Sequence, residues 1–245
     1  MSGGGYSVIP VKGIPELHED DDLAELIVER VELEDGDVVV VAQKAISKVE
    51  GRVLRLDAIE PSERAREIAG DEGDARRVEA ILQEARAVVR VRAPLVICET
   101  RHGFICASAG VDTSNAPEAG MLVLLPLDPD ASAAGLRDAL RERAGRTVGV
   151  VVTDSFGRPW RQGTTDVAIG AAGVEVMRDL SGREDPVGYR LRATVIAVAD
   201  EIAAAAELAM GKLDRVPVAI LRGLEVQGDG RATDIPVPAE RDLFR

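Results

Sequence analysis

A chain of 245 residues with 46% hydrophobic and 30% charged residues has the balance of a globular protein large enough for a substantial core. Its formal net charge of −13 argues against nonspecific binding to nucleic-acid backbones or anionic membranes. It does not exclude a small anion met by a local cluster of cations or by a metal. No apolar run approaches the ~18 residues that would mark a membrane span, and the opening MSGGGYSVIP has no basic and apolar leader pattern, so cytoplasmic residence is expected.

The aromatics are Tyr6, Phe104, Phe156, Trp160, Tyr189 and Phe244, so the core must be aliphatic. YSVIPVK (6–12) predicts a strand, and DDLAELIVERV (21–31) a helix with acids in its first turn. DVVVVAQK (37–44) is a short continuous apolar run and predicts a buried strand. Pro61 to Ala87 is rich in arginine, glutamate and alanine and predicts helix, broken near GDEGD (70–74). PLVICET (94–100) and GFICASAG (103–110) predict a hairpin, and MLVLLP (121–126) another strand. DPDASAAGLRDALRERAG (128–145) predicts a helix capped by Asp128, opened by Pro129 and ended by Gly145. TVGVVVTD (147–154) predicts a buried strand. ATVIAVADEIAAAAELAMGK (193–212) holds an alanine-rich helix suited to close packing, and VPVAILRG (216–223) predicts the last strand before a polar tail.

No repeat, flexible linker or low-complexity tract marks a domain border. The charge-dense stretch near Glu60–Arg86 reads as an excursion from one continuous core. The expectation is a single unit over residues 1–245, mixed α/β, with two interleaved lobes.

No G-x-x-x-x-G-K-[ST] loop, G-x-G-x-x-G turn or G-x-S-x-G elbow is present, so the familiar phosphate cradles and serine nucleophile are absent from the sequence. Cys98 and Cys106 flank the turn Arg101-His102-Gly103 and are expected as a reduced, buried pair. With His18 and His102 they make no zinc pattern, so any metal here would be held by oxygens.

Two acids stand out. Asp112 lies among small residues in ASAGVDTSN, and Asp154 ends a valine-rich strand in VVVTDSFG. A carboxylate at a buried strand end is costly to ionise without a cation. With the Ser155 hydroxyl, the two would suit Mg²⁺ or Mn²⁺ completed by phosphate oxygens; as an alternative, both acids cap nearby backbone N–H groups. Lys44 and Lys48 are four apart, which on a helix puts two like charges on one face. That hints at a phosphate, and a solvated pair is the other reading. They are two of only four lysines, with Lys12 and Lys212, among 30 basic residues. In FGRPWRQG, Arg158 and Arg161 offer guanidinium forks and Trp160 a flat face for a substrate, or the segment is a surface loop.

Six segments in chain order carry a resemblance: IPVKGIPEL, VVVVAQKAISKVEGR, RHGFICASAGVDTSN, LLPLDPDASA, VVVTDSFGRPWRQGTTDVAIGAAG and VADEIAAAAELAMGKLDRVPVAILRG. From about Val8 to Gly223 the chain resembles the coenzyme F420-0:L-glutamate ligase (gamma-glutamyl ligase) family. The resemblance implies an unusual two-lobed α/β ligase fold without a P-loop, forming an intertwined homodimer. It also implies GTP-dependent addition of L-glutamate to the phospholactate carboxylate of coenzyme F420-0, with successive γ-linked glutamates, through an acyl phosphate.

By position, the resemblance implies Asp112 and Asp154 as ligands of one Mg²⁺ or Mn²⁺ ion and Ser155 as a ligand of a second, with K⁺ a further candidate. It places GTP contacts at Ile14, Pro15, Glu16, Leu17, Gln43, Lys48 and Asn115, and at Gly211 and Lys212. Gln43 stands where relatives commonly carry serine, and Ser155 where threonine is common. Arg158, Trp160 and Arg161 are candidates for the coenzyme or glutamate, and Lys48, Asp112 and Asp154 for catalysis. Some relatives carry a flavin-dependent reductase domain after the ligase; this chain is expected to ligate and not reduce. The rival readings are a noncatalytic nucleotide or deazaflavin carrier, and an amide ligase acting on a different acid.

Overall fold

The computed structural model describes residues 5–243. The chain begins with β1 (Ser7–Pro10), α1 (Leu23–Val28), β2 (Val38–Ala42), α2 (Gln43–Val49) and β3 (Val53–Arg55). There follow α3 (Glu63–Ala69), α4 (Ala75–Glu84), β4 (Ala85–Arg92), β5 (Leu95–Thr100), β6 (Ile105–Ala107) and β7 (Met121–Val123). The remainder is α5 (Pro129–Ala144), β8 (Gly149–Arg158), β9 (Arg161–Ala172), β10 (Arg178–Asp179), β11 (Val195–Ile196), α6 (Val198–Met210) and β12 (Val218–Arg222). Among the described residues the architecture is therefore mixed α/β, with six α-helices and several sheets.

The main sheet has the order β1-β12-β2-β8-β9. Only β2 and β8 run parallel, paired from Val38↔Gly149 to Ala42↔Thr153; the other neighbours are antiparallel. Both faces of this sheet are covered, which explains the unbroken valine runs. Side chains alternate between faces. Val39, Val41, Val150, Val152 and Ile220 pack on Leu23 and Ile27 of α1 and Leu136 and Leu140 of α5. Val38, Val40, Val151 and Leu221 turn the other way, onto Val198, Ile202, Ala203 and Ala206 of α6. The small residues of α6 and β9 allow close approach. At Gly170 a Cβ would lie 2.2 Å from the Pro129 carbonyl oxygen, so α5 can seat on β9 only over a glycine.

A separate apolar cluster joins Ala80 and Ile81 of α4 to Val96 and Cys98 of β5 and to Val111, Leu122 and Leu124. Only its α4 residues fall in the charge-dense stretch near Glu60–Arg86; the rest of the cluster follows that stretch in the chain. The sheet β4-β5-β6 belongs to it, with Cys98 directly opposite Cys106. Both cysteines are free and buried.

The elements depart from expectation in four places. Asp21 and Asp22 precede α1, where the Asp22 carboxylate accepts from the Glu25 N–H as a cap. β2 ends at Ala42, so Gln43 and Lys44 open α2 and do not extend the strand. The helical stretch breaks at GDEGD as expected, but its last residues enter β4, where β-branched Val88, Val89 and Val91 alternate with arginines. The segment GRPWRQG is the tip of a long hairpin, because β8 runs on to Arg158 and β9 returns from Arg161. The α5 signals are met in full: Asp128 accepts from the Ala131 N–H, Pro129 opens the helix, and Gly145 closes it in the left-handed conformation.

Candidate active site

β2 stops pairing with β8 at Ala42↔Thr153, where its chain bends into α2 while β8 continues with β9 alone. The divergence opens a cavity of about 430 Å³ at the carboxyl ends of the two parallel strands. This is the position where open α/β sheets bind ligands. Asp154 and Ser155 come immediately after the last paired residue and line it. The turn Ile14, Pro15, Glu16 and Leu17 forms one wall; Gln43 and Lys48 of α2, Asn115, and the segment after α6 with Gly211 and Lys212 form the others. Gly211 has φ +61, and a Cβ there would lie 2.2 Å from Asp214 Oδ2, so the turn that carries Lys212 requires glycine.

Asp154, Asp166, Glu207 and Lys44 are among the lining residues, and Asp112 joins them through Lys44. Lys44 Nζ lies 2.7 Å from Asp112 Oδ2 and 3.0 Å from Ser114 Oγ. Ser114 donates its N–H to Asp112 Oδ1 at 2.8 Å and its hydroxyl to Oδ2 at 2.7 Å. Burial disfavours the Asp112 charge, yet Lys44 and Ser114 hold this carboxyl well below the usual range. Asp154 keeps some surface toward the cavity but lies deep among protein atoms. Burial pushes it up to about 7, and the charges of Asp166 and Asp112 add to that, against Lys44 and the Ser155 N–H. Asp166, buried on β9, accepts from Ser155 Oγ at 2.7 Å and Thr153 Oγ1 at 3.1 Å. Glu207 of α6 also lines the cavity; burial raises its pKa and Asp166 adds to it, while Lys212 and Lys44 oppose.

The structure thus places Ile14, Pro15, Glu16, Leu17, Gln43, Lys48, Asn115, Asp154, Ser155, Gly211 and Lys212 around one cavity. Asp112 is tied to this group through Lys44. Lys48 is buried and pairs with Glu16 across the cavity wall. Gln43 is buried too, its Nε2 donating to the Leu124 carbonyl at 3.4 Å while its Oε1 has no partner. Arg158, Trp160 and Arg161 stand apart at the hairpin tip, outside the lining, with Trp160 83% exposed. Thr153, Asp166 and Glu207 join the site without having been singled out for it. A signal existed for Glu207: an acid in the last turn of a helix opposes the macrodipole, and no basic residue accompanies it.

The donor set around Asp112, Asp154 and Ser155 is all oxygen, which fits a hard divalent cation. Among the described residues no group of three or more His, Cys, Asp or Glu side chains is arranged as a metal cage. Two carboxylates and a hydroxyl leave coordination positions for ligand oxygens and water, the habit of Mg²⁺ at phosphate sites.

The family model described as F420-0:Gamma-glutamyl ligase matches residues 13–223. A protein named coenzyme F420:L-glutamate ligase from Methanopyrus kandleri is 46% identical over 252 residues, covering 99% of this chain and 100% of the relative. One of the same name from Archaeoglobus fulgidus is 48% identical, covering 97% and 96%. Another from Haloarcula marismortui is 43% identical, covering 97% and 95%.

Proposed function

The chain belongs to the F420-0:gamma-glutamyl ligase family, and on that premise we propose that it joins L-glutamate to the phospholactate carboxylate of coenzyme F420-0 at the expense of GTP. The observation that supports this reading is the cavity lined by Asp154, Lys44, Lys48 and the turns at 14–17 and 211–212, with Asp112 joined to its lining through Lys44. A carboxylate does not acylate an amine directly, because oxide is a poor leaving group. Transfer of the γ-phosphoryl group from GTP to the coenzyme carboxylate gives an acyl phosphate and GDP. The α-amine of glutamate then attacks the acyl carbon, losing a proton, and phosphate leaves with the bond electrons.

Asp112, Asp154 and Ser155 would hold Mg²⁺ or Mn²⁺, with K⁺ a further candidate; when bound, the divalent ion neutralises charge on the triphosphate and on the group in transfer. Lys48 supplies a fixed positive charge toward the phosphates, and Lys212 a second from the segment after α6. Asp166 orients the Ser155 hydroxyl by accepting its hydrogen bond. These groups act by positioning and preorganised electrostatics. Arg158, Trp160 and Arg161 are assigned to the coenzyme tail or the incoming glutamate, which requires the hairpin tip to meet the cavity's contents or a second subunit. An intertwined homodimer would serve this, and exposed Val89, Val91 and Leu95 on β4 and β5 support such a contact. No helix of the described residues is long and apolar enough to cross a membrane, and the reaction is assigned to the cytoplasm.

The test is mass spectrometry of F420-0 incubated with glutamate, GTP and Mg²⁺ or Mn²⁺. Glutamyl additions with stoichiometric GDP support the reading. Nucleotide and coenzyme binding without GDP release would make the chain a carrier, and addition to other acids but not F420-0 would make it a different amide ligase.

A further inference from the structure

Lys44 was not among the residues that the resemblance assigns a role, yet it is the cation on which the site's acids converge. Its side chain is 14% exposed, its ammonium group touches Asp112 Oδ2 at 2.7 Å and Ser114 Oγ at 3.0 Å, and its charge reaches Asp154 and Glu207. Asp112 Oδ1 is already taken by the Ser114 N–H, and Oδ2 by Lys44 and the Ser114 hydroxyl. A divalent ion that uses Asp112 Oδ2 must therefore displace one of these partners, and one that uses the remaining lone pair of Oδ1 meets the repulsion of the adjacent ammonium group. The backbone N–H is fixed by the turn, whereas Lys44 ends a flexible four-carbon stem rooted in the first turn of α2, at the cavity wall.

We propose that Lys44 is a built-in competitor of the divalent ion: it holds Asp112 while no metal is bound, and yields that carboxylate to the metal on loading. This rests on the metal-assisted ligase reading above. The arrangement keeps converging carboxylates from meeting uncompensated, because like charges at close range otherwise oppose one another. It also weakens metal binding by the energy of the displaced pair. The freed ammonium group remains in the cavity, within reach of the nucleotide phosphates whose arrival accompanies the metal.

The proposal sets a sign. With Mn²⁺ as the probe and no nucleotide, Lys44→Met should bind the ion about tenfold or more tightly than wild type, since a competing positive charge has been removed. Electron paramagnetic resonance of free Mn²⁺ reads this without any turnover. Unchanged or weaker binding overturns the proposal. Because Lys44→Met could fold poorly, a second measurement uses the wild-type chain. Its four lysines are resolved by brief acetylation and peptide mass spectrometry, and acetylation of Lys44 should rise several-fold when Mn²⁺ is added, with Lys12 as internal reference. Equal protection of Lys44 with and without Mn²⁺ overturns the proposal as well. Wild-type binding of Mn²⁺ that Asp154→Asn abolishes keeps the metal reading intact whatever Lys44 does. Absence of any Mn²⁺ binding would overturn both.

Discussion

Ser155 and Asp166 are opposed across the β8–β9 pair, and the Ser155 hydroxyl donates to Asp166 Oδ1 at 2.7 Å. Asp166 also takes the Thr153 hydroxyl, so one buried carboxylate fixes two strand side chains at the cavity floor. With its proton so directed, Ser155 turns its lone pairs away from Asp166. Partners that orient a ligand in this way commonly contribute as much as the ligand. Ser155→Ala and Asp166→Asn should each lower glutamate ligation about 10- to 100-fold. The double variant should be no worse than the poorer single one, because both remove the same oriented oxygen. Initial rates of GDP release measure this; multiplicative losses would show that Asp166 acts independently of Ser155.

Lys48 makes a separate prediction. It is buried, its partner Glu16 is more than half exposed, and both line the cavity. A charge-assisted bond to a phosphate contributes about 1.5–3 kcal/mol. Lys48→Met should therefore raise KM for GTP about ten- to a hundredfold with a smaller change in kcat. Glu16→Gln removes the competing anion and should leave KM for GTP unchanged or lower. A Lys48→Met enzyme with unaltered KM would place the triphosphate elsewhere.

Much of this architecture was legible because burial writes itself into composition. The valine runs at 38–41 and 150–152 fit only a sheet covered on both sides, and the Asp128-Pro129…Gly145 signals fix α5 at both ends. The hairpin of β8 and β9 was hidden for the opposite reason. Its outer half, Gly157 to Thr164, is largely exposed, so no apolar alternation marks it. The pairing of Lys44 with Asp112 spans a long stretch of chain and depends on the bend between β2 and α2, which local propensity does not encode. Asp166 and Thr153 become neighbours only through the β8–β9 register, which shifts between Val152 and Thr153.

The cysteines should be chemically silent in the native protein. Burial pushes the Cys106 thiol up to about 12, and the charge of Asp154 adds to this; burial raises Cys98 as well. The thiolate is the reactive form, so iodoacetamide at mildly alkaline pH should label neither residue until the chain is unfolded. Linkage sets the sign of the pH effect. The unfolded thiol ionises near 9, below the folded value, so stability from the neutral Cys106 is complete below about 9 and declines as pH rises beyond it. The stability difference between wild type and Cys106→Ala should shrink over that range in urea titrations. Rapid native labelling of Cys106 would contradict its enclosure.

Trp160 is the single tryptophan and sits 83% exposed with φ +56 at the hairpin tip. Its emission should be red-shifted and readily quenched by acrylamide at low protein concentration. If the tip meets the coenzyme, F420-0 should reduce the acrylamide quenching constant at fixed protein concentration. If it meets a second subunit, quenching should fall as protein concentration rises, without ligand. Insensitivity of quenching to both variables would remove the tip from substrate and subunit contacts alike.

Asp130 ties the helical layer to the end of the chain. Its Oδ1 accepts from the Ala171 N–H of β9 at 2.9 Å and the Ala232 N–H at 2.8 Å, while Thr233 Oγ1 donates to Oδ2 at 2.7 Å. The carboxylate is buried, in the first turn of α5, where the helix dipole favours a negative charge. Asp130→Ala would strand the buried Ala171 and Ala232 N–H groups at about 1–3 kcal/mol each, and would also remove the longer bond from the Thr233 N–H, so a loss of about 3 kcal/mol or more is expected. Asp130→Asn keeps one acceptor oxygen and should cost less than alanine. Urea unfolding should show a lower midpoint with an unchanged slope, since the surface exposed on unfolding is the same. The site lies on the far side of Gly170 from the cavity, and ligation by the folded fraction should therefore persist. A Asp130→Ala protein as stable as wild type would mean that the segment after β12 docks without this carboxylate.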